Sequence, residues 1–320
     1  MMNILFLTGS QFNPSAEELA RLKQHYPDLH ITTQPMNGYD PTYLREAQII
    51  VGTPKPEDLH LATNLKWLQT QSAGVDRVAD RNLFANDDVI VTSASGTYGR
   101  QIADHVMGMI LGFNHNLFTY HDQMKDRKWK GYAKGEDLWN QTMLIIGFGD
   151  LGKNIAQKAH AFGIHTVVFK RTVSEKPEYV DELYSIEELD KHLNRADYIT
   201  VAPAATAQTI AILNRDRLFA IKKGAYVLNV SRGTLIDENA LIEALESGHL
   251  GGAGLDVTAV EPLDASSKLW ELENVLITPH VSGSSPKTPH TVFELFFENL
   301  GSYLNDKSQM KNKVDFTRGY

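Results

Sequence analysis

Three short stretches carry most of the chemistry in this sequence: NVSRGTLID with Arg232, GLDVTAVEPLD with Asp256 and Glu261, and LITPHVSGS with His280. An arginine grips a carboxylate with two parallel hydrogen bonds and polarises a neighbouring carbonyl, which the point charge of a lysine does less specifically. A histidine delivers or takes the proton that accompanies hydride addition to that carbonyl. A carboxylate beside it favours the imidazolium and fixes its orientation. One Arg, one Glu and one His therefore suffice for hydride chemistry. Taken singly, each reads as well as a surface ion pair, a solvated loop acid or a hydrogen-bonded loop histidine. No paired His/Asp/Glu spacing accompanies His280, so no metal centre is expected.

A fourth stretch supplies a place for a cofactor. In LIIGFGDLGKNIA, Leu144 to Ala156, an apolar run breaks into Gly147, Gly149 and Gly152 and resumes with helical spacing. The first glycine permits a tight turn, the second lets a pyrophosphate approach and the third lets helix and strand pack closely, while the backbone of Asp150 and Leu151 opens the helix at the phosphate. Such a pattern is weak alone. Here Thr142 to Ile146 reads as a buried strand and Lys153 to Phe162 as a helix, which is the order a dinucleotide site needs.

These four stretches must be held by an alternating fold. Strand-like runs NILFL, LHITT, QIIVGT, LKWLQTQ and DVIVTSA alternate with helix-like runs from the start, with Pro and Gly at the joints. The rhythm restarts after Gly96 with one long amphipathic helix, TYGRQIADHVMGMILGFNHNL, and continues through HTVVFK, ADYITVA, GAYVLNV, GGAGLDV and NVLIT. This is the pattern of parallel sheets, and the chemistry-bearing loops each follow a strand, at the carboxyl ends where open α/β sheets bind ligands. Ser185 with Glu188 forms a capping-box pattern ahead of IEELDKHL, and Asp237 opens a helix that Gly248 can close. Near the end, Val292, Phe293, Phe296, Phe297, Leu300 and Leu304 form a helical apolar stripe expected to pack back on the first unit.

Composition narrows the function classes. The chain has 320 residues, 42% hydrophobic and 22% charged, enough for two cored domains. A formal charge of -8 argues against nucleic acid or an anionic membrane as the main partner. The absence of cysteine excludes disulfides, thiolate nucleophiles and Cys-ligated metals, and fits a reducing compartment. The amino-terminal MMNILFLTGS lacks the basic region of a signal peptide, and no run approaches the ~18 apolar residues of a membrane span. The expected location is the cytoplasm.

The motifs SAGVDR (72–77), IIGFGDLG (145–152), NVSRGTLID (229–237), GAGLDVTAVEPLD (252–264) and ITPHVSG (277–283), with the ending NKVDFTRGY, resemble the D-isomer-specific 2-hydroxyacid dehydrogenases over nearly the whole length. The resemblance implies an α/β fold of two doubly wound parallel-sheet domains. A Rossmann cofactor domain (98–283) is expected to be inserted into a discontinuous, flavodoxin-like substrate domain (1–97 with 284–320), with hinges near Ser95 to Tyr98 and Gly283 to Pro286. It implies Arg232 as ligand of the substrate carboxylate and carbonyl, His280 as general acid/base, Glu261 as its partner and Asp256 at the nicotinamide end of the cofactor. Ala73, Gly74 and Val75 look like the loop whose N–H groups receive the substrate carboxylate, and Thr53 and Tyr98 are placed to select its side chain. It also implies a homodimer.

The sequence departs from the family pattern where an NAD-binding member carries an acid for the ribose 2′-hydroxyl, about twenty residues past the glycines. VVFKRT offers Lys170, Arg171 and Thr172 instead. Two cations and a hydroxyl suit a 2′-phosphate, so NADP(H) is favoured over NAD(H). Asp150 stands where a basic residue is common, and Ala202 where a polar one is. The expected function is hydride transfer between a nicotinamide cofactor and a small 2-keto acid/D-2-hydroxy acid pair. The rival is a nucleotide-sensing, corepressor-like binding protein of the same fold, which the lack of a basic face disfavours.

Overall fold

The computed structural model describes residues 2–131 and 135–320. The chain divides into two compact units, Met1–Tyr98 with Ser284–Tyr320, and Gly99–Gly283.

The first unit starts with β1 (Met2–Thr8), α1 (Ala16–His25), β2 (Leu29–Pro35), α2 (Thr42–Glu46), β3 (Ile49–Val51), β4 (Trp67–Gln69) and β5 (Ile90–Thr92). All five strands are parallel in the order β2-β1-β3-β4-β5, the doubly wound order whose direction reverses beside β1. The central strands are buried along their length, the signature of a sheet covered on both faces. Helix α1 begins with a full capping box. Ser15 Oγ accepts from the Glu18 amide, and the Glu18 carboxylate accepts from the Ser15 amide.

The second unit holds α3 (Gly99–Asn114), α4 (Leu117–Lys125), β6 (Thr142–Ile146), α5 (Asp150–Ala161), β7 (His165–Lys170), β8 (Glu182–Ser185), β9 (Tyr198–Val201), α6 (Arg215–Ala220), β10 (Tyr226–Asn229), α7 (Glu238–Glu246), β11 (Gly252–Leu255) and β12 (Val275–Ile277). Its seven parallel strands lie in the order β12-β11-β10-β9-β6-β7-β8, so the reversal falls beside β6, just where the glycine turn begins. The long amphipathic helix expected over 97–117 is α3, which ends at Asn114, shortly before the expected end. Asn116 takes a left-handed conformation at φ 53°, which asparagine tolerates better than most residues, and this ends one helix and starts the next. The run after Ser185 also differs from expectation. Ser185 Oγ accepts from Glu187, two residues on, rather than from Glu188, and the segment tightens into two 3-10 turns that bury Leu189 and Leu193. Asp237 caps α7 as expected, accepting from the Ala240 amide at 3.1 Å, and Gly248 follows with φ 65°.

The chain ends in the first unit with α8 (Thr288–Asn305). Its stripe buries Val292, Phe293, Phe296 and Leu300 completely, and Phe296 packs between Phe6 and Trp67. Leu304, expected in that stripe, is exposed. The drift of the 3.6-residue repeat brings Tyr303 onto Trp67 instead. Behind the aromatics lies a buried polar knot. Asn299 donates to Gln69 Oε1 (3.1 Å) and the Lys311 carbonyl (3.2 Å) and accepts from the Lys311 amide (2.7 Å). Thr92 Oγ1 donates to Gln69 Oε1 and accepts from the Trp67 indole. Asn299 is fully buried. Asn299→Ala takes a donor from Gln69 and leaves the Lys311 amide and carbonyl of the carboxyl-terminal segment without their side-chain partner. We expect chemical denaturation to show this unit losing roughly 2–4 kcal/mol, each orphaned buried group costing about 1–3. A loss below about 0.5 kcal/mol, the level of a surface substitution, would show that the knot is not what ties the last segment down.

Candidate active site

The glycine turn connects β6 to α5. Gly147 has φ 96°, and a Cβ there would lie 2.6 Å from the Pro203 nitrogen, while one on Gly152 would lie 2.0 Å from the Gly147 carbonyl oxygen. These two glycines are demanded by packing. Gly149 differs, because a Cβ on it would meet nothing within 4 Å. It is the N-cap of α5, and no side chain caps that helix. An open approach to uncapped amides at a helix N-terminus fits the pyrophosphate of a dinucleotide. The Asp150 carboxylate is turned to other partners, accepting from the Gly99 amide (2.9 Å) and from Asn154 Nδ2 (3.0 Å). Leu151 follows on the first turn of the helix.

The basic pair sits on the adjacent strand. Register pairs Ile146 with Phe169, and the Gly147 amide donates to the Phe169 carbonyl, so Lys170, Arg171 and Thr172 emerge beside the turn. Lys170 Nζ donates to Ser174 Oγ at 2.9 Å and lies 5.8 Å from the Phe148 ring centre. Arg171 and Thr172 are exposed.

Arg232, Glu261 and His280 follow β10, β11 and β12, three neighbouring parallel strands. Their loops are joined by backbone. The Asp256 amide donates to the Asn229 carbonyl (2.9 Å), and the His280 amide donates to the Asp256 carbonyl (2.8 Å). Gly233, beside Arg232, packs so tightly on the next loop that a Cβ would lie 1.9 Å from the Thr258 carbonyl carbon. Around the half-buried Arg232, Asn229 Nδ2 donates to the Arg232 carbonyl (2.9 Å), Arg232 Nη1 to the Ser231 carbonyl (2.8 Å) and Ser231 Oγ to the Pro203 carbonyl (2.6 Å).

His280 Nδ1 and Glu261 Oε2 are 2.8 Å apart, with side chains 48% and 39% exposed, so the pair is open to a substrate. An ionised carboxylate only accepts, which puts a proton on Nδ1 and leaves Nε2 as the outward nitrogen. Glu261 Oε1 also accepts from the Thr258 amide at 3.3 Å. His280 has φ 53°, a strained value for a side-chain-bearing residue, held by amide bonds to the Asp256 and Thr278 carbonyls. The Asp256 carboxylate, expected at the nicotinamide end of a cofactor, is buried. Its Oδ1 accepts from Thr278 Oγ1 (2.6 Å) and the Val281 amide (2.9 Å), and its Oδ2 from the Ser282 amide (3.0 Å).

The remaining expected residues lie in the first unit, at carboxyl ends of its strands. Thr53 follows β3, and Ala73, Gly74 and Val75 follow β4. Among the described residues, nothing accepts from the amides of those last three, as a carboxylate-receiving loop requires. The Tyr98 hydroxyl donates to the Gln71 carbonyl, and burial pushes its phenol up, keeping it a neutral donor. Thr53 Oγ1 and Gln71 Oε1 are buried without a hydrogen-bond partner. Sequence reading passed over Gln71, whose position two residues past β4 was its only signal. It also passed over His105 on α3, whose Nε2 lies 3.0 Å from Thr278 Oγ1.

Residues 107–282 match the family model described as D-isomer specific 2-hydroxyacid dehydrogenase, NAD binding domain. A hydroxypyruvate reductase of Thermotoga maritima is 29% identical over 304 residues, covering 90% of this chain and 97% of that one. A D-isomer specific 2-hydroxyacid dehydrogenase family protein of Aeromonas salmonicida subsp. salmonicida superposes with a TM-score of 0.85 at 31% identity, covering 98% of this chain and 99% of that chain. An NADPH-dependent glyoxylate/hydroxypyruvate reductase of Sinorhizobium meliloti, solved with NADP and sulfate, superposes with a TM-score of 0.83 at 25% identity, covering both chains completely (100% each). The chain belongs to the D-isomer specific 2-hydroxyacid dehydrogenases and is an NAD(P)-dependent oxidoreductase of that family.

Proposed function

We propose that this chain reduces small 2-keto acids to D-2-hydroxy acids, with NADP(H) favoured over NAD(H). The observation that carries the reading is the open His280–Glu261 pair on a loop bonded through Asp256 to the loop of Arg232. Bound nicotinamide supplies the hydride. Arg232 grips the substrate carboxylate and steadies the developing alkoxide, while His280 Nε2 gives that oxygen its proton and Glu261 stabilises the imidazolium before transfer. Gly147, Gly149, Gly152 and the amides of Asp150 and Leu151 would hold the pyrophosphate, and Lys170, Arg171 and Thr172 the 2′-phosphate. Asp256 would stand at the nicotinamide end of the cofactor. Ala73, Gly74 and Val75 would receive the substrate carboxylate. With relatives named as reductases and dehydrogenases, the nucleotide-sensing reading has no support of its own.

The substrate side group we infer is short and hydroxylated. Loops 9–14, 52–54, 70–76 and 93–98 hold no Lys, Arg or His to meet a phosphate, and Thr53 Oγ1 and Gln71 Oε1 are the unsatisfied buried polar atoms there. We also assign a homodimer in the cytoplasm. Leu117, Phe118, Met124 and Trp139, on and after α4, are exposed apolar side chains that a second copy would cover.

On purified protein, crossing NADPH and NADH with glyoxylate, hydroxypyruvate, pyruvate and branched and aromatic 2-keto acids should give the fastest absorbance decay with NADPH and hydroxypyruvate or glyoxylate. No turnover with any keto acid would sink the proposal. Thr53→Val should narrow the preference for hydroxypyruvate over pyruvate by ~5–100-fold, the worth of one lost hydrogen bond to a substrate hydroxyl; an unchanged ratio removes Thr53 from substrate recognition. Replacing Lys170 and Arg171 with glutamate should raise the KM for NADPH ~10–100-fold, as expected for charge-assisted bonds, and spare NADH. Equal effects on both cofactors would contradict the 2′-phosphate assignment. Light scattering should return twice the 35.8 kDa chain mass; a monomer at micromolar concentration would refute the dimer.

A further inference from the structure

Behind the catalytic loop runs a directed chain of hydrogen bonds. Thr278 Oγ1 lies 2.6 Å from Asp256 Oδ1, and an ionised carboxylate can only accept, so the threonine's single proton goes to Asp256. The threonine oxygen is then the acceptor for His105 Nε2 at 3.0 Å, which fixes that ring as the Nε2–H tautomer. At the far end, Asp256 gathers the Val281 and Ser282 amides, the two that follow His280 immediately. The order is His105 Nε2–H to Thr278 O–H to Asp256 carboxylate to the backbone after His280.

This chain meets the loop where it is strained. His280 sits at φ 53°, a conformation that costs energy unless its surroundings over-determine it. Its own amide is tied to the carbonyls of Asp256 and Thr278, the same two residues whose side chains form the chain. Asp256 and Ser282 are buried, so these bonds are shielded from competing water. His105 projects from α3 and Thr278 follows β12 directly, which anchors the loop to two regular elements.

We propose that His105 and Thr278 are positioning residues for His280: through Asp256 they hold its left-handed backbone, and so aim Nε2 at the substrate oxygen. The inference rests on the reading of His280 as general acid. Removing the support should degrade the proton-transfer geometry while Arg232, the glycine turn and the Lys170–Arg171 pair stay in place, and misplacement of that kind costs up to ~100-fold in rate. It should therefore appear in kcat and leave KM alone.

The test pairs isosteric variants. Thr278→Val replaces the hydroxyl by a methyl of the same shape, and Thr278→Ser keeps the hydroxyl. Thr278→Val should lower kcat ~10–100-fold with the KM values for NADPH and keto acid nearly unchanged, and Thr278→Ser should restore most of it. His105→Leu should lower kcat in the same direction, whereas His105→Gln, which keeps an N–H at similar reach, should lose less. Hydrogen exchange supplies a readout independent of turnover. In Thr278→Val, a peptide covering 277–283 should exchange faster while peptides from β6 and β9 stay protected. The proposal is overturned if Thr278→Val keeps the wild-type kcat, if Thr278→Ser is as impaired as Thr278→Val, or if protection is lost evenly across the unit. A His280→Gln control separates the two failures. Full activity there removes the acid role while a loosened 277–283 peptide in Thr278→Val still upholds the brace; an inactive control with a fully active Thr278→Val removes the brace alone.

Discussion

The site depends on backbone hydrogen bonds that run sideways across three parallel strands. The Asp256 amide donates to the last carbonyl of β10, at Asn229, and the His280 amide donates to Asp256, so the chain just past β11 and β12 continues the ladder after those strands end. A parallel ladder fixes which residues stand abreast, and its carboxyl edge is the one place where successive loops emerge side by side. The loops that carry Arg232, Glu261 and His280 therefore emerge side by side although far apart in sequence, and Glu261 meets His280 directly. Gly233 completes the arrangement, because only a residue without a side chain lets the arginine loop lie against Thr258.

The same constraint explains the division of labour among acids. Glu261 and Asp256 both bear on the His280 loop, but one carboxylate is exposed and touches the imidazole, while the other is buried and touches only a hydroxyl and backbone amides. Burial with several donors makes Asp256 a fixed acceptor for the loop backbone. Exposure leaves Glu261 and the ring it holds open to a ligand. Local charge matters here more than the total of -8, since the cations proposed to meet ligands are single residues at strand ends in an otherwise acidic chain.

Much of this was legible in the sequence because parallel strands are written as continuous apolar runs and the glycines as exceptions to them. Thr142 to Ile146, the glycine turn and the helix after it stand where the pattern puts them. The trio was legible by type, each member lying just past a strand. What escaped was whatever depends on tertiary geometry. The left-handed Asn116, which separates α3 from the short helix α4, is one such feature. Leu304 and Tyr303 are neighbours, and only the accumulated twist of α8 decides which faces Trp67. His105 reads as a lone histidine on a helix until Thr278 is seen opposite it. The buried, unpartnered atoms of Thr53 and Gln71 exist only once β3 and β4 are side by side.

The proposed reaction turns on proton delivery by the His280 imidazole. Chemical rescue tests it most directly: kcat of His280→Ala with NADPH and its best keto acid, measured with and without added imidazole. We expect a fall of ~10²–10⁴-fold, typical of a lost general acid, with cofactor binding intact and rate returning as imidazole is raised. A His280→Ala enzyme that turns over at the wild-type rate would contradict it.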